Sequence, residues 1–116
     1  MENNSSNIHT EIVAQTDNFV AWKAHEPDDE VTYHIEVNNI TIHFFKEEWD
    51  SFMTFKKEFI NLPSGLTGTL AENEDYLVSC DVTETNENIY SLEITGATLY
   101  FFDDDWKEFC TLLKNI

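Results

Sequence analysis

Arginine is missing altogether from this chain, and its six lysines face 23 aspartates and glutamates, for a net charge of −17. A surface so poor in cations cannot neutralise phosphates, which excludes direct binding to nucleic acid. It excludes an anionic membrane on the same ground. Glycine is scarce, with only Gly65, Gly68 and Gly96, so there is no glycine-rich phosphate loop, and no GxSxG nucleophile motif occurs either. The four histidines, His9, His25, His34 and His43, fit no HExxH or related spacing, and no calcium-loop pattern is present, so the sequence predicts neither metal nor cofactor. Two cysteines, Cys80 and Cys110, permit at most one disulfide and read as small buried hydrophobes. No apolar run approaches the roughly 18 residues of a membrane span, and no basic start leads into an apolar stretch. The expected location is therefore cytoplasmic, and the expected class is not an enzyme.

What is present is a core and a repeat. Hydrophobic residues make up 41% and aromatics 14% of the 116 residues, enough for a packed domain. Only residues 1–7, MENNSSN, are polar enough to be expected disordered. Residues 35–59, IEVNNITIHFFKEEWDSFMTFKKEF, align without a gap at an offset of 57 with residues 92–116, LEITGATLYFFDDDWKEFCTLLKNI. Glu36/Glu93, Thr41/Thr98, Phe44/Phe101, Phe45/Phe102, Trp49/Trp106 and Phe52/Phe109 are identical pairs. A weaker register continues back through Thr10/Thr67, Ala14/Ala71, Phe19/Tyr76 and Val20/Leu77. The reading is a tandem duplication, with a first repeat over 8–60 and a second over 66–116 that together form one domain.

Each unit reads as strands followed by a helix. Tyr33, Ile35 and Val37 alternate with polar residues, Asn38-Asn39 suits a two-residue turn with positive φ, and Ile40, Ile42 and Phe44 alternate again. Thr95-Gly96 stands at the same place in the second copy. Earlier strands are predicted near 8–14, 19–24, 66–71 and 76–82. The period then changes to about 3.6, placing Trp49, Phe52, Met53, Phe59 and Ile60 on one helical face, and Trp106, Phe109, Cys110, Leu113 and Ile116 on another. The fold class is thus α+β, a tandem duplication of an antiparallel strand-rich unit ending in one amphipathic helix, in a single compact domain. In TLYFFDDDWKEF the run Asp103, Asp104 and Asp105 falls at a helix start. Asp103 suits an N-cap and the next two suit the first turn, where the macrodipole favours anions. The same three can also lie on a binding face.

The excess charge is unevenly placed. Residues 26–36 carry five acids and no lysine (Glu26, Asp28, Asp29, Glu30, Glu36), and residues 61–95 carry seven and no lysine (Glu72, Glu74, Asp75, Asp81, Glu84, Glu87, Glu93). Acids two apart on a strand point the same way at about 6.6–6.8 Å, so carboxylates here could form rows approximating the charge density of duplex DNA. A solvated face serving solubility is the plainer alternative.

The strand-to-helix junctions ITIHFFKEEWDSFMTF and ATLYFFDDDWKEFCTL loosely resemble the repeats of the purine-rich-element-binding and Whirly-like single-strand-binding families. The missing arginine and the acidic strands depart from that pattern where nucleic acid would bind. As a whole, with HEPDDE, ENEDY and DVTETNEN, the chain resembles the bacterial DNA-mimic proteins, in particular the small acidic type that binds the histone-like protein HU. That resemblance implies a monomer whose carboxylates occupy the DNA-binding face of a basic protein. The candidate phosphate-mimicking residues are Glu26, Asp28, Asp29, Glu30, Glu72, Glu74, Asp75, Asp81, Glu84 and Glu87, with Asp103, Asp104 and Asp105 as an extension. Two alternatives have the same composition: an immunity protein that neutralises a basic toxin nuclease, and a structural protein-interaction module in which Trp49, Trp106 and the phenylalanines pair.

Overall fold

A computed structural model describes residues 9–116. The segment expected to be disordered lies outside the described residues. Four strands and a helix follow one another twice: β1 (His9–Gln15), β2 (Phe19–His25), β3 (Val31–Val37), β4 (Ile40–Phe45) and α1 (Lys46–Phe55), then β5 (Gly68–Glu72), β6 (Leu77–Val82), β7 (Asn88–Ile94), β8 (Ala97–Phe102) and α2 (Asp103–Lys114). Each set of strands forms a four-stranded antiparallel meander, in the orders β1-β2-β3-β4 and β5-β6-β7-β8. The α+β class and the tandem strand-rich unit ending in a helix are therefore observed.

The duplication extends to backbone irregularities. The β1–β2 register shifts between Ile12 and Ala14, and the β5–β6 register shifts between Thr69 and Ala71, at the same offset. Thr16 and Asn73 occupy equivalent tight turns: the Thr16 N–H donates to the Phe19 carbonyl at 2.8 Å and the Asn73 N–H to the Tyr76 carbonyl at 3.0 Å. The return bonds are also equivalent, since Phe19 N–H donates to Thr16 Oγ1 and Tyr76 N–H to Asn73 Oδ1. The weak backward register of the sequence thus marks a real repeat over β1, β2, β5 and β6. The β3–β4 and β7–β8 turns do differ. The positive φ is at Asn38 in the first (55°) and at Gly96 in the second (81°), so Asn39 does not share it.

Described residues group into two compact units, one running to Met53 and including Thr111–Ile116, the other Thr54–Cys110. Within each, one face of the sheet is covered by aromatic residues of the helix. In the first, Trp49 stacks on Tyr33 at 4.6 Å, meets Phe44 edge-on at 5.4 Å, and Phe44 stacks on Phe52 at 5.3 Å. In the second, Trp106 stacks on Tyr90 at 4.9 Å, tilts against Phe101 at 5.5 Å, and Phe101 stacks on Phe109 at 4.8 Å. Such offset ring pairs add roughly 0.5–1.5 kcal/mol beyond area burial.

The helical faces differ from the periodicity in two details. α1 ends at Phe55 and passes into a 3₁₀ turn over Lys56–Glu58, so Phe59 and Ile60 follow the helix rather than extend its face. Phe59 is nonetheless buried, against Phe55 at 5.6 Å and Trp106 at 5.5 Å. Phe55 and its equivalent Leu112 are fully buried although the 3.6-residue stripe passes them by. Each helix begins in one unit and ends in the other: Leu112 belongs to the first unit, and Phe55 belongs to the second, where its ring meets Tyr76 at 5.2 Å. Among the described residues no helix is long and apolar enough to cross a membrane.

Candidate functional site

The β2–β3 and β6–β7 connections have one backbone geometry. In the first, the Glu26 N–H donates to the Glu30 carbonyl at 2.8 Å and the Asp29 N–H to the Glu26 carbonyl at 3.1 Å, with Asp29 at φ 66°. In the second, the Thr83 N–H donates to the Glu87 carbonyl at 2.8 Å and the Asn86 N–H to the Thr83 carbonyl at 3.0 Å, with Asn86 at φ 63°. Aspartate and asparagine are the non-glycine residues that tolerate this left-handed backbone best. Side chains lock both loops. Asp28 Oδ1 accepts the Glu30 N–H at 3.2 Å, Thr83 Oγ1 accepts the Glu87 N–H at 3.1 Å, and Thr85 Oγ1 donates to Glu87 Oε1 at 3.0 Å. Asp28, Asp29, Glu30, Glu84 and Glu87 are exposed, while Glu26 is half-buried and accepts a bond from Thr32 Oγ1 at 3.0 Å.

Strand register places other acids beside these loops. Ile89 pairs with Phe102, so β8 ends and α2 begins next to the β6–β7 loop. There Glu87, Asp103, Asp104 and Asp105 line one open groove of about 480 Å³ with Phe102. Asp81, near the end of β6, is at the same end of the sheet. In the first repeat, Thr32 pairs with Phe45, which brings Glu47 and Glu48 of α1 to the equivalent end. Glu26, Asp28 and Glu30 line a groove of about 520 Å³ there with Phe45 and His43.

Not every candidate joins these clusters. Glu72, Glu74 and Asp75 lie at the β5–β6 turn, where Asn73 Oδ1 accepts the N–H of both Asp75 and Tyr76 at 2.8 Å. Leu77 pairs with Glu93 and Val82 with Asn88, so that turn is at the opposite end of the sheet from Glu87. At about 3.3 Å per residue the ends of a six-residue strand are roughly 20 Å apart. Rows of carboxylates along a strand are also not what forms: of the candidates only Glu72 and Asp81 lie in strands, and the others occupy turns, loops and a helix start. Acidic residues are poor strand formers but suit turns and first helical turns, which sorts them to the ends.

Asp103 is not the N-cap that the sequence suggested. Helix α2 starts at Asp103 itself, and its Oδ1 accepts a bond from Asn88 Nδ2 at 3.4 Å, tying the helix start to β7. In the first repeat the capping contact comes from inside the helix, where Glu48 Oε1 accepts the Phe45 N–H at 2.9 Å. That is the backward half of a capping box.

Two features escaped the sequence reading. Phe45 and Phe102, identical partners in the repeat, are 57% and 51% exposed. Strand alternation was the available signal: Phe44 and Phe101 point inward, so the next residue points out. The other feature is a polar cluster on Glu11, whose carboxylate lies 3.5 Å from Lys23 Nζ, 3.5 Å from His25 Nε2 and 3.6 Å from His9 Nε2. The β1–β2 register, which sets Glu11 opposite Lys23 and His9 opposite His25, explains it.

His34 and His43 are cross-strand neighbours, as the hairpin predicts, with ring centroids 4.6 Å apart. His34 also stacks on Trp22 at 5.0 Å. Burial lowers the His34 pKa, His43 adds to that, and Glu26 opposes both. Their equivalents Ser91 and Tyr100 share none of this chemistry, and Ser91 instead bonds Ser79 at 2.7 Å. Among the described residues no group of three or more His, Cys, Asp or Glu side chains is arranged to hold a metal ion.

No family model, curated protein or solved structure matches the chain.

Proposed function

We propose that the protein is a non-enzymatic DNA mimic, a monomer in the cytoplasm whose acidic surface competes with DNA for a basic DNA-binding protein, with histone-like HU as the partner. The reading is carried by one observation: two loops of identical backbone geometry hold exposed carboxylates beside a second acidic group at a helix start, once in each repeat. A charge excess kept only for solubility needs no such repetition. The fixed hydrogen bonds of both loops favour preorganised acceptors over a floppy acidic tail, which lowers the ordering cost of binding. The net charge of −17 would speed encounter with a cationic partner and make binding salt-sensitive.

A competition gel shift tests the proposal. HU is held on labelled duplex DNA at about physiological salt, and the protein is titrated in. Release of DNA near stoichiometric amounts, lost as salt rises, is the expected result. The triple variant Asp28→Lys/Asp29→Lys/Glu30→Lys should need at least about tenfold more protein for the same release, since reversal converts attraction into repulsion at three adjacent positions. All three residues are exposed and lie outside strands and helices, so its circular dichroism should be unchanged, with a loss of about 1 kcal/mol in unfolding because Asp28 accepts the Glu30 N–H and Asp29 holds φ 66°. A folded triple variant that releases DNA as well as the parent would remove the β2–β3 loop from the interface. Failure of the parent to release DNA from HU would reject HU as the partner.

A further inference from the structure

We propose that each repeat carries a receptor for an arginine side chain of the basic partner, built from an exposed phenylalanine ring among carboxylates: Phe45 with Glu26, Asp28 and Glu30, and Phe102 with Glu87, Asp103 and Asp104. This rests on the preceding reading only in taking the partner to be basic.

A phosphate imitation requires carboxylates and nothing more. Aromatic rings more than half exposed at both equivalent positions are a separate observation. The interior does not call for them, because Phe44 and Phe101 already fill the sheet-to-helix contact in each unit. An apolar ring held in water at both copies marks a contact surface. Each ring lines the same groove as the acids. Phe45 is also held in place: its ring meets the His43 edge at 5.3 Å, and Glu48 fixes its backbone N–H. Lys46, next to Phe45 in the chain, bonds Asp50 through Nζ at 2.6 Å and lies 6.0 Å from the Tyr33 ring centre.

Ring and carboxylates together select the cation. A lysine ammonium is compact and strongly hydrated, and an acidic surface alone satisfies it. A guanidinium is flat and weakly hydrated, so it stacks on an aromatic face while its edge donors fork onto carboxylates. The partner is therefore a protein that presents arginines, and one chain offers two such receptors of similar build.

Calorimetric titration with octa-arginine and octa-lysine peptides at matched salt tests this. Wild-type protein should bind octa-arginine roughly five- to tenfold more tightly than octa-lysine. Phe45→Ala and Phe102→Ala leave the charge at −17 and alter exposed positions, so folding should persist and is checked by circular dichroism. Each should reduce the arginine preference, the double variant should abolish it, and octa-lysine binding should stay unchanged throughout. Equal, salt-sensitive binding of the two peptides to wild type would overturn the arginine receptor and leave the DNA mimic standing. An arginine preference that survives in the double variant would overturn the role of the rings. Binding of neither peptide would overturn both readings.

Discussion

Lys56 is buried where the second repeat has Leu113. Burial pulls its pKa below the ordinary 10.5, and neighbouring Lys57 adds to the effect. The sign follows from linkage. Below the folded pKa both states are charged and the cost of burying the ammonium is present in full. As pH rises toward 10.5 the folded chain releases its proton first and the cost is relieved. Lys56→Met keeps the length of the side chain and removes the charge. It should raise stability at pH 7, with the gain shrinking by pH 10, as read by urea unfolding at both values. A loss of stability at pH 7 would mean that the amine's contacts outweigh its desolvation. Tyr90 has the opposite pH signature. Burial first, then Cys80, pushes its phenol up to about 12. Between pH 10 and 12 the unfolded chain ionises this tyrosine before the folded one does, so stability falls across that window. Absorbance at 295 nm should show Tyr90 still protonated at pH 11, and Tyr90→Phe should flatten the alkaline loss.

At the scale of elements, two contacts can be tested singly. Glu48→Ala removes the acceptor for the Phe45 N–H at the start of α1 and should cost about 0.5–1 kcal/mol in chemical unfolding. Asn86→Ala forces a Cβ-bearing residue without a helping polar group into φ 63° and should cost about 1 kcal/mol, whereas Asn86→Gly should be close to neutral. The hairpins and helix starts were legible in the sequence because the hydrophobic period switches abruptly from two to 3.6 after Phe45 and Phe102. Phe55 and Leu112 were not, since a single-stripe reading cannot anticipate a helix whose end belongs to a different unit from its beginning. The acidic segments were legible as composition. Their sorting to opposite sheet ends was not, because it depends on cross-strand register, which brings Phe102 opposite Ile89 and leaves Glu72 and Glu74 at the far end.

For the whole molecule the dominant quantity is charge. With 23 acids against six lysines, the folded chain holds like charges closer together than the unfolded chain does. Added salt screens this repulsion, the screening length falling from about 30 Å at 0.01 M to about 3 Å at 1 M. The urea midpoint should therefore rise between 10 mM and 500 mM sodium chloride. A fall instead would show that attractive pairs such as Glu11–Lys23 dominate the electrostatics. The same salt should weaken partner binding, so the conditions that best preserve the fold are the worst for its proposed activity.

Thr111–Ile116, with the fully buried Leu112 and Leu113, belong to the unit that contains the first sheet. During synthesis on the ribosome, β1 to β4 emerge long before these residues, which are still inside the exit tunnel when the strands are free. The first unit cannot acquire its full set of core side chains until residues 111–116 have left the tunnel. Arrested chains in which residues 111–116 are still in the tunnel should accordingly leave the first sheet sensitive to protease, and resistance should appear once longer chains bring those residues out.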